Sequence, residues 1–288
     1  MTRFAPVDLS LLPAPEVIEP LDFEAIFEAL RAQVIAAAPE LAAALALESE
    51  PATKVLQVIA WSKMHDRARV NDAARAVMLP FATGGDLEVL AALFGVTRTA
   101  TETDARLRER TRLALQAYSS AGPAGAYRYH AISADPRVRD VRVDSPDPGA
   151  VRLVVLAEDN DGVPDTPLLT AVIQAVTAED VRVLTDTVSV IAATPVDFEV
   201  EAALVVEAGA ATSVVLEAAR AALDAHLDRR RQLGLRITLT GLIAALHVEG
   251  VEEVLLAEPA ADIEPEADEF ARAISTSVIL WMPPSPPS

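Results

Sequence analysis

Acidic and imidazole side chains are the residues in this 288-residue sequence whose types could carry chemistry. The run Glu158 to Gly162, EDNDG, resembles a calcium-binding loop, because carboxylate and amide oxygens are the ligands that Ca²⁺ prefers. An EF-hand loop would need an acid at the position of Ala157 and a closing glutamate, and Val163-Pro164 follows instead. We therefore interpret the run as a loop between a strand and a helix, with calcium binding kept as the alternative.

The other candidate residues form no recognisable site. The sequence contains no GxSxG nucleophile elbow, no Walker loop, no GxGxxG fingerprint and no HExxH pair. It has no cysteine, which excludes disulfides and thiolate metal sites. We therefore predict no catalytic residue, no cofactor, no metal and no enzymatic activity. The four histidines are widely separated and are interpreted as ordinary side chains: His65, His130, His226 and His247.

The net charge indicates which classes of partner the protein could bind. The sequence has 43 acidic and 24 basic residues, a formal net charge of −19. Such a surface repels phosphate backbones, so we expect no nucleic-acid partner, whereas a basic protein would be attracted. The start MTRFAPVDLSLL lacks the basic residues and apolar core of a signal peptide, and no uninterrupted apolar run is long enough to span a membrane. We expect a soluble protein made in the cytoplasm, with no membrane contact.

The elements that would position partner contacts centre on the stretch from Arg69 to Arg98, RVNDAARAVMLPFATGGDLEVLAALFGVTR. Apolar residues recur at helical spacing on both sides of a glycine pair, which predicts a helix, an elbow and a second short helix. Pro80 should end or kink the first helix, and Asp86 is predicted to be the N-cap of the second. We expect a turn at the Gly84-Gly85 pair with positive φ at Gly85, so that Gly85→Val would weaken folding or assembly.

Six polar or glycine residues of this corner are candidate contact residues. The acids and arginines around the end of the first helix are interpreted either as partner contacts or as a solvated helix face with ion pairs, and the sequence does not decide between the two. The candidates are Asn71, Asp72, Arg75, Gly84, Gly85 and Asp86.

Further along the chain the apolar period changes from 3.6 to 2. The alternation at Arg139–Asp144, the turn Asp147-Pro148-Gly149 and the run Val151–Leu156 predict a hairpin. A helix capped at Thr166-Pro167 and a strand from Thr187 to Ile191 follow. No helix or strand is predicted for the segment AGAYRYHAISADP before the hairpin.

The last part of the chain repeats this mixture of strands and helices. A strand Phe198–Val206 precedes a helix Ser213–Arg231, and Thr240 is predicted to cap a shorter helix. Two strands, Val251–Leu256 and Ile274–Trp281, complete this part.

These elements predict an α+β protein: a helical N-terminal half followed by two small α/β sandwich-like segments with mostly antiparallel sheets. The predicted organisation is an extended N-terminal arm at 1–21, a helical domain at 22–134, a ββαβ domain at 135–195, a βααββ domain at 196–282 and a disordered proline-rich tail at 283–288.

Five blocks of the sequence, in this order, resemble the baseplate J-like family of contractile-tailed bacteriophages. They are VDLSLLPAPEVIEPLDFEAI, LESEPATKVLQ, RVNDAARAVMLPFATGGDLEVL, AGPAGAYRYHAISADPRVRDVRVDSPDPGAV and ITLTGLIAALHVEGVEEVLLAEPAADI. Together they extend over nearly the whole chain.

The resemblance implies a structural role. Family members are similar to the wedge subunits that assemble around the central hub of the baseplate, so it implies a place in the virion tail or a related contractile particle. The implied partners are other copies of the chain, the sheath-nucleating baseplate wedge protein and tail protein I. It further implies that the helical part joins an inter-subunit helical bundle and that the C-terminal part makes ring contacts.

Two hypotheses from other classes remain beside this one. The first is an enzyme with a carboxylate-based site, such as a wall-degrading tail component, although no acid pair stands out and aromatic residues are only 4% of the chain. The second is an independent adaptor that binds a basic partner through its anionic surface.

Overall fold

The computed structural model describes residues 15–117, 124–179, 181–182, 185–207 and 209–281. The chain forms two compact units, Met1–Thr111 and Arg112–Ser288. Within the described residues, no helix is both long and apolar enough to cross a membrane. The predicted N-terminal arm lies mostly, and the C-terminal tail entirely, outside the described residues.

The first unit is helical. Asp22 caps its first helix by accepting the Ala25 N–H at 3.1 Å. A short 3-10 turn, Pro39–Leu41, follows that helix. The helices are α1 (Phe23–Ala37), α2 (Ala42–Leu45), α3 (Pro51–Ala76), α4 (Gly84–Ala92) and α5 (Asp104–Ala117), the last of which continues into the second unit.

The core of the first unit lies where α1 and α2 pack against the N-terminal half of α3. The buried apolar side chains are small in number, and Ala60 is fully enclosed. The small side chain of Ala60 lets the helices pack closely at this core. The cluster consists of Ile26, Phe27, Leu45, Leu56 and Ala60.

The described part of the second unit contains four more helices and six strands. It begins with α6 (Ala124–Ala134), β1 (Val138–Asp144) and β2 (Ala150–Ala157), and a 3-10 turn Asn160–Gly162 follows. The remaining elements are α7 (Thr166–Val176), β3 (Thr187–Ala192), β4 (Thr194–Val206), α8 (Thr212–Arg230), α9 (Leu239–Leu246), β5 (Val251–Glu258) and β6 (Glu269–Leu280).

Strands β1, β2 and β3 form one sheet in that order, and β5, β4 and β6 form another. The predicted hairpin is confirmed, because β1 and β2 pair antiparallel across a turn in which Gly149 has φ +78°. The α+β class and the helical N-terminal half are confirmed as well.

The sheets are mixed rather than mostly antiparallel as the sequence analysis expected. In each sheet the central strand has one antiparallel and one parallel neighbour: β3 runs parallel to β2, and β6 runs parallel to β4. The reason is connectivity, since α7 carries the chain back along the sheet before β3, and β6 follows β5 on the opposite edge of β4.

Three local expectations need correction. The helix α7 is capped by Asp165, whose carboxylate accepts the Leu168 N–H at 2.8 Å, and Thr166 lies inside that helix. The segment left without an element is the helix α6, which packs Tyr127 and Ile132 into the core of the first sheet. The helix α9 is capped by Thr238, whose hydroxyl accepts the Gly241 N–H at 3.1 Å, and Thr240 lies inside that helix.

The two sheets are joined within the second unit by a very short connection. Only Ala193 separates β3 from β4, so one nearly continuous stretch of strand serves both sheets. Fully buried Phe270, at the start of β6, packs against Leu156 of β2 and Ala193. Arg139 on β1 adds a polar link by donating its Nε–H to the Arg231 carbonyl at 2.9 Å.

Candidate subunit-contact region

The predicted corner is present, and its turn is built around Gly84. Helix α3 ends at Ala76, and α4 begins at Gly84 with Thr83 as its extended N-cap residue. Gly84 has φ +53°, a conformation that other L residues adopt at a cost, whereas Gly85 is not in the left-handed region. The positive φ predicted at Gly85 is therefore wrong for that residue, and Gly84 has it instead. Asp86 was expected to be the N-cap and instead lies in the first turn of α4.

A carboxylate from a different helix occupies the place predicted for Asp86. Asp104, the first residue of α5, accepts the Gly84 N–H at 3.0 Å through Oδ2 and the Arg98 guanidinium at 2.6 Å through Oδ1. The Gly84 N–H, together with Arg98, lowers the pKa of Asp104. Asp104 thus links the start of α5 to the start of α4.

Arg98 ties the corner to several chain segments at once. Its Nε–H donates to Glu88 of α4 at 2.6 Å, and its Nη1–H donates to the Glu102 carbonyl at 2.9 Å. The hydrogen bond to Asp104, more than the one to Glu88, raises the pKa of Arg98. The guanidinium therefore joins α4, the segment before α5 and the first residue of α5.

The arginines of α5 also bind the chain itself. Arg108 donates to the carbonyls of Leu79 and Ala82 at 2.8 and 2.7 Å, which satisfies backbone acceptors of the turn after α3. Arg110 forms an ion pair with the fully buried Glu102 carboxylate at 2.7 Å. Removing one partner of such a buried pair would leave an uncompensated charge, which typically costs about 3–5 kcal/mol.

Asn71, the first of the six candidates, is buried inside the unit. Its Oδ1 accepts the Glu19 N–H at 3.1 Å, and its Nδ2–H donates to the Glu19 carbonyl at 2.8 Å. The amide thus binds both backbone groups of one residue, as a neighbouring strand would. Arg67 adds an exposed ion pair to the Glu19 carboxylate at 3.4 Å. This clasp holds the segment before α1 against α3.

The other charged candidates lie at the surface. Asp72 and Arg75 form an exposed i,i+3 ion pair at 3.2 Å, and both border an open cavity of 440 Å³ beside Pro20 and Leu21. The structure thus brings Asn71, Asp72 and Arg75 together, whereas Gly84, Gly85 and Asp86 lie at the start of α4. Partner contact at any of the six remains a prediction.

A stripe of apolar side chains on α3 is exposed. Val55, Val58, Val70 and Val77 are 58%, 67%, 62% and 69% exposed, respectively. Their spacing puts them on one side of the helix, away from Leu56 and Asn71, which are buried. The helix therefore leaves valines exposed near both of its ends on the same side, with Ser62, Asp66 and Arg69 between them.

Sequence reasoning missed the polar network of the corner. Its members are Arg98, Glu102, Asp104, Arg108 and Arg110. The high density of charged residues in TRTATETDARLRER could have indicated this network. The arginines are distributed around α5, however, so the sequence did not show which two of them point inward.

The acidic loop is held by arginines. Glu158 pairs with Arg139 at 2.9 Å, and Asp159 lies 4.0 Å from Arg137. In the part of the chain that the structure describes, no group of three or more metal-ligating side chains is positioned to hold an ion.

Three family models match in chain order: the baseplate J-like N-terminal domain at residues 48–104, the central domain at 119–192 and the C-terminal domain at 198–279. The first match contains the whole corner.

Baseplate protein J of Escherichia phage P2 is 41% identical over 277 residues, which cover 89% of this chain and 92% of that protein. The chain belongs to the baseplate J-like family. A chain of the cryo-EM structure of the anti-feeding prophage (AFP) baseplate, 6-fold symmetrised, aligns with a TM-score of 0.41 and 13% identity over 62% of this chain and 43% of that chain. That similarity is too low to support an argument.

Proposed function

We propose that this chain is a non-enzymatic wedge subunit of a phage-type contractile-tail baseplate. In this role it assembles around the central hub and links the sheath-nucleating baseplate wedge protein to tail protein I on the fibre side. It also contacts other copies of itself and resides in the virion tail. The identity to a phage baseplate protein over most of both chains supports the general role.

The exposed apolar face of α3 is the observation that supports a subunit role for the helical unit. Val55, Val58 and Val70 on this helix of 26 residues are more than half exposed in the single chain, and so is Val77 directly after it. Covering one such side chain removes roughly 1.5–3 kcal/mol of unfavourable hydration, so a partner helix would be bound mainly by apolar contact.

Co-expression tests the role. The chain is produced together with a sheath-nucleating baseplate wedge protein and tail protein I, the complexes are separated by size-exclusion chromatography, and their masses are measured by light scattering. We expect a joint complex, and we expect Val58→Asp with Val70→Asp to abolish it.

Val214→Asp is the matched control, since Val214 is 64% exposed on α8 of the other unit. It should leave the complex unchanged. A chain that elutes alone and monomeric in the presence of both partners would contradict the proposed wedge role. Hydrolysis of purified peptidoglycan by the chain would contradict the non-enzymatic part.

A further inference from the structure

The second sheet of the C-terminal unit has one covered and one open face. Phe198, Val200 and Leu204 of β4 point into a core that α8 and α9 close with Val215, Leu223, Leu242 and Leu246. Because side chains alternate along a strand, the residues between these three lie on the other face.

An apolar stripe crosses the open face. Ala203 on β4 is directly opposite Leu255 of β5 on one side and beside Ile279 of β6 on the other. Leu255 and Ile279 are 37% and 57% exposed. Trp281 continues the alternation of β6 and is 43% exposed. Its backbone N–H donates to the Leu204 carbonyl.

The width of this stripe suits a helix. Neighbouring strands are about 4.8 Å apart, so Leu255 and Ile279 are separated by roughly 10 Å across β4. That distance is close to the diameter of an α-helix with its side chains. A helix laid across the sheet can therefore contact all three strands.

Carboxylates border the stripe. Glu199 and Glu201 on β4 and Glu253 and Glu258 on β5 are exposed, and none of the four forms an ion pair with another described residue. Glu201 and Glu258 are directly opposite each other in the register. Like charges in that position destabilise a sheet, so a cation placed between them would relieve a cost present in the free chain.

We propose that the open face of the β5-β4-β6 sheet docks a basic amphipathic helix of a partner protein. The apolar side of the helix covers Ala203, Leu255, Ile279 and Trp281, and its lysines or arginines face the four glutamates. A second copy of this chain is not the proposed occupant, because its equivalent face would bring the same carboxylates together. This surface is separate from α3 and does not depend on the proposed wedge role.

Trp281 supplies a direct probe. In a Trp61→Phe background it is the only tryptophan, because the chain has two. A synthetic helical peptide of leucine and lysine is titrated into the full chain, and a peptide with glutamate in place of lysine is titrated separately. We expect a blue shift of the Trp281 emission and saturable binding with the lysine peptide alone.

Matched variants separate this face from general attraction to an acidic protein. Ile279→Asp, and the pair Glu201→Lys with Glu253→Lys, should each weaken binding at least tenfold. Ile274→Asp, 56% exposed on the same strand, and Glu217→Lys with Glu249→Lys should change the affinity less than twofold. Val58→Asp with Val70→Asp should also leave it unchanged, which keeps the result independent of the α3 experiment.

Three outcomes would overturn the proposal: no emission shift, equal weakening by test and control variants, or a shift that appears on concentrating the chain alone and disappears in Ile279→Asp. The last would identify the face as a contact between copies. Circular dichroism melting verifies the fold of each variant, and Ile279→Ser is the substitute if Ile279→Asp unfolds.

Discussion

Replacing Gly84 and Gly85 separately by alanine should shift stability in opposite directions. A Cβ at either position meets no atom within 4 Å, so neither substitution creates a steric clash. The two residues differ in backbone conformation, since only Gly84 has φ in the left-handed region, at +53°. The comparison therefore isolates the conformational term at the corner.

The expected magnitudes follow from that difference. An L residue at such a φ costs roughly 1–2 kcal/mol, and alanine recovers about 0.4–1 kcal/mol by restricting the unfolded chain. Gly84→Ala should thus lower the free energy of unfolding by about 1 kcal/mol. Gly85→Ala lies in helix α4 without strain and should raise it by up to about 1 kcal/mol.

Urea unfolding followed by Trp61 fluorescence in a Trp281→Phe background measures both values in the helical unit. Gly84→Asn should lose less stability than Gly84→Ala, because asparagine tolerates this conformation better. A Gly84→Ala variant at least as stable as the parent, or a loss of equal size in Gly85→Ala, would refute the assignment of the strained turn to Gly84.

Three further predictions concern the polar and packed sites. Asn71→Leu removes both hydrogen bonds to Glu19 and should cost about 1–3 kcal/mol, with faster proteolysis before residue 22; unchanged proteolysis would rule out the clasp. The pKa of Asp104 is lowered in the folded state, so its ionised carboxylate stabilises the fold fully above about pH 4. This stabilisation is lost as the pH falls through the lowered pKa. Asp104→Asn should therefore remove this part of the acid sensitivity from melting curves. Gly162→Ala places a Cβ 2.6 Å from ring atoms of Phe270 at a residue with φ +89°. It should lower the free energy of unfolding, measured by calorimetry, by more than about 2 kcal/mol. Gly209→Ala is the control and should cost less, because Gly209 has φ +96° but a Cβ there meets no atom within 4 Å.

Features set by local sequence were predictable. The alternation from Arg139 to Asp144 and the DPG turn fix the hairpin, because both the faces and the turn depend on adjacent residues. The Asp22 cap follows from one side chain and the backbone next to it. Helix α6 was missed because its pattern is short and its stability comes from packing Tyr127 and Ile132 on the first sheet.

Features that depend on distant residues were not predictable. The parallel partners of β2 and β4 are set by where the chain returns after a crossover, which no residue pattern specifies. Asp86 is a good N-cap residue by type, but Asp104, 20 positions beyond Gly84, reaches the same N–H. The buried pair of Glu102 and Arg110 looked like ordinary surface charge, since burial is decided by the surrounding fold.

The arginines explain how an acidic protein can still present a selective surface. Arg98 and Arg110 bind carboxylates within the helical unit, and Arg139, Arg152 and Arg272 do so in the other unit. These cations are committed to the chain's own structure, so the glutamates of the open sheet face are left without internal counter-charge. In the proposed complex the partner helix supplies positive charge to that face, and this attraction weakens with salt. The apolar face of α3 has no such dependence, so the two proposed surfaces differ in kind as well as in position.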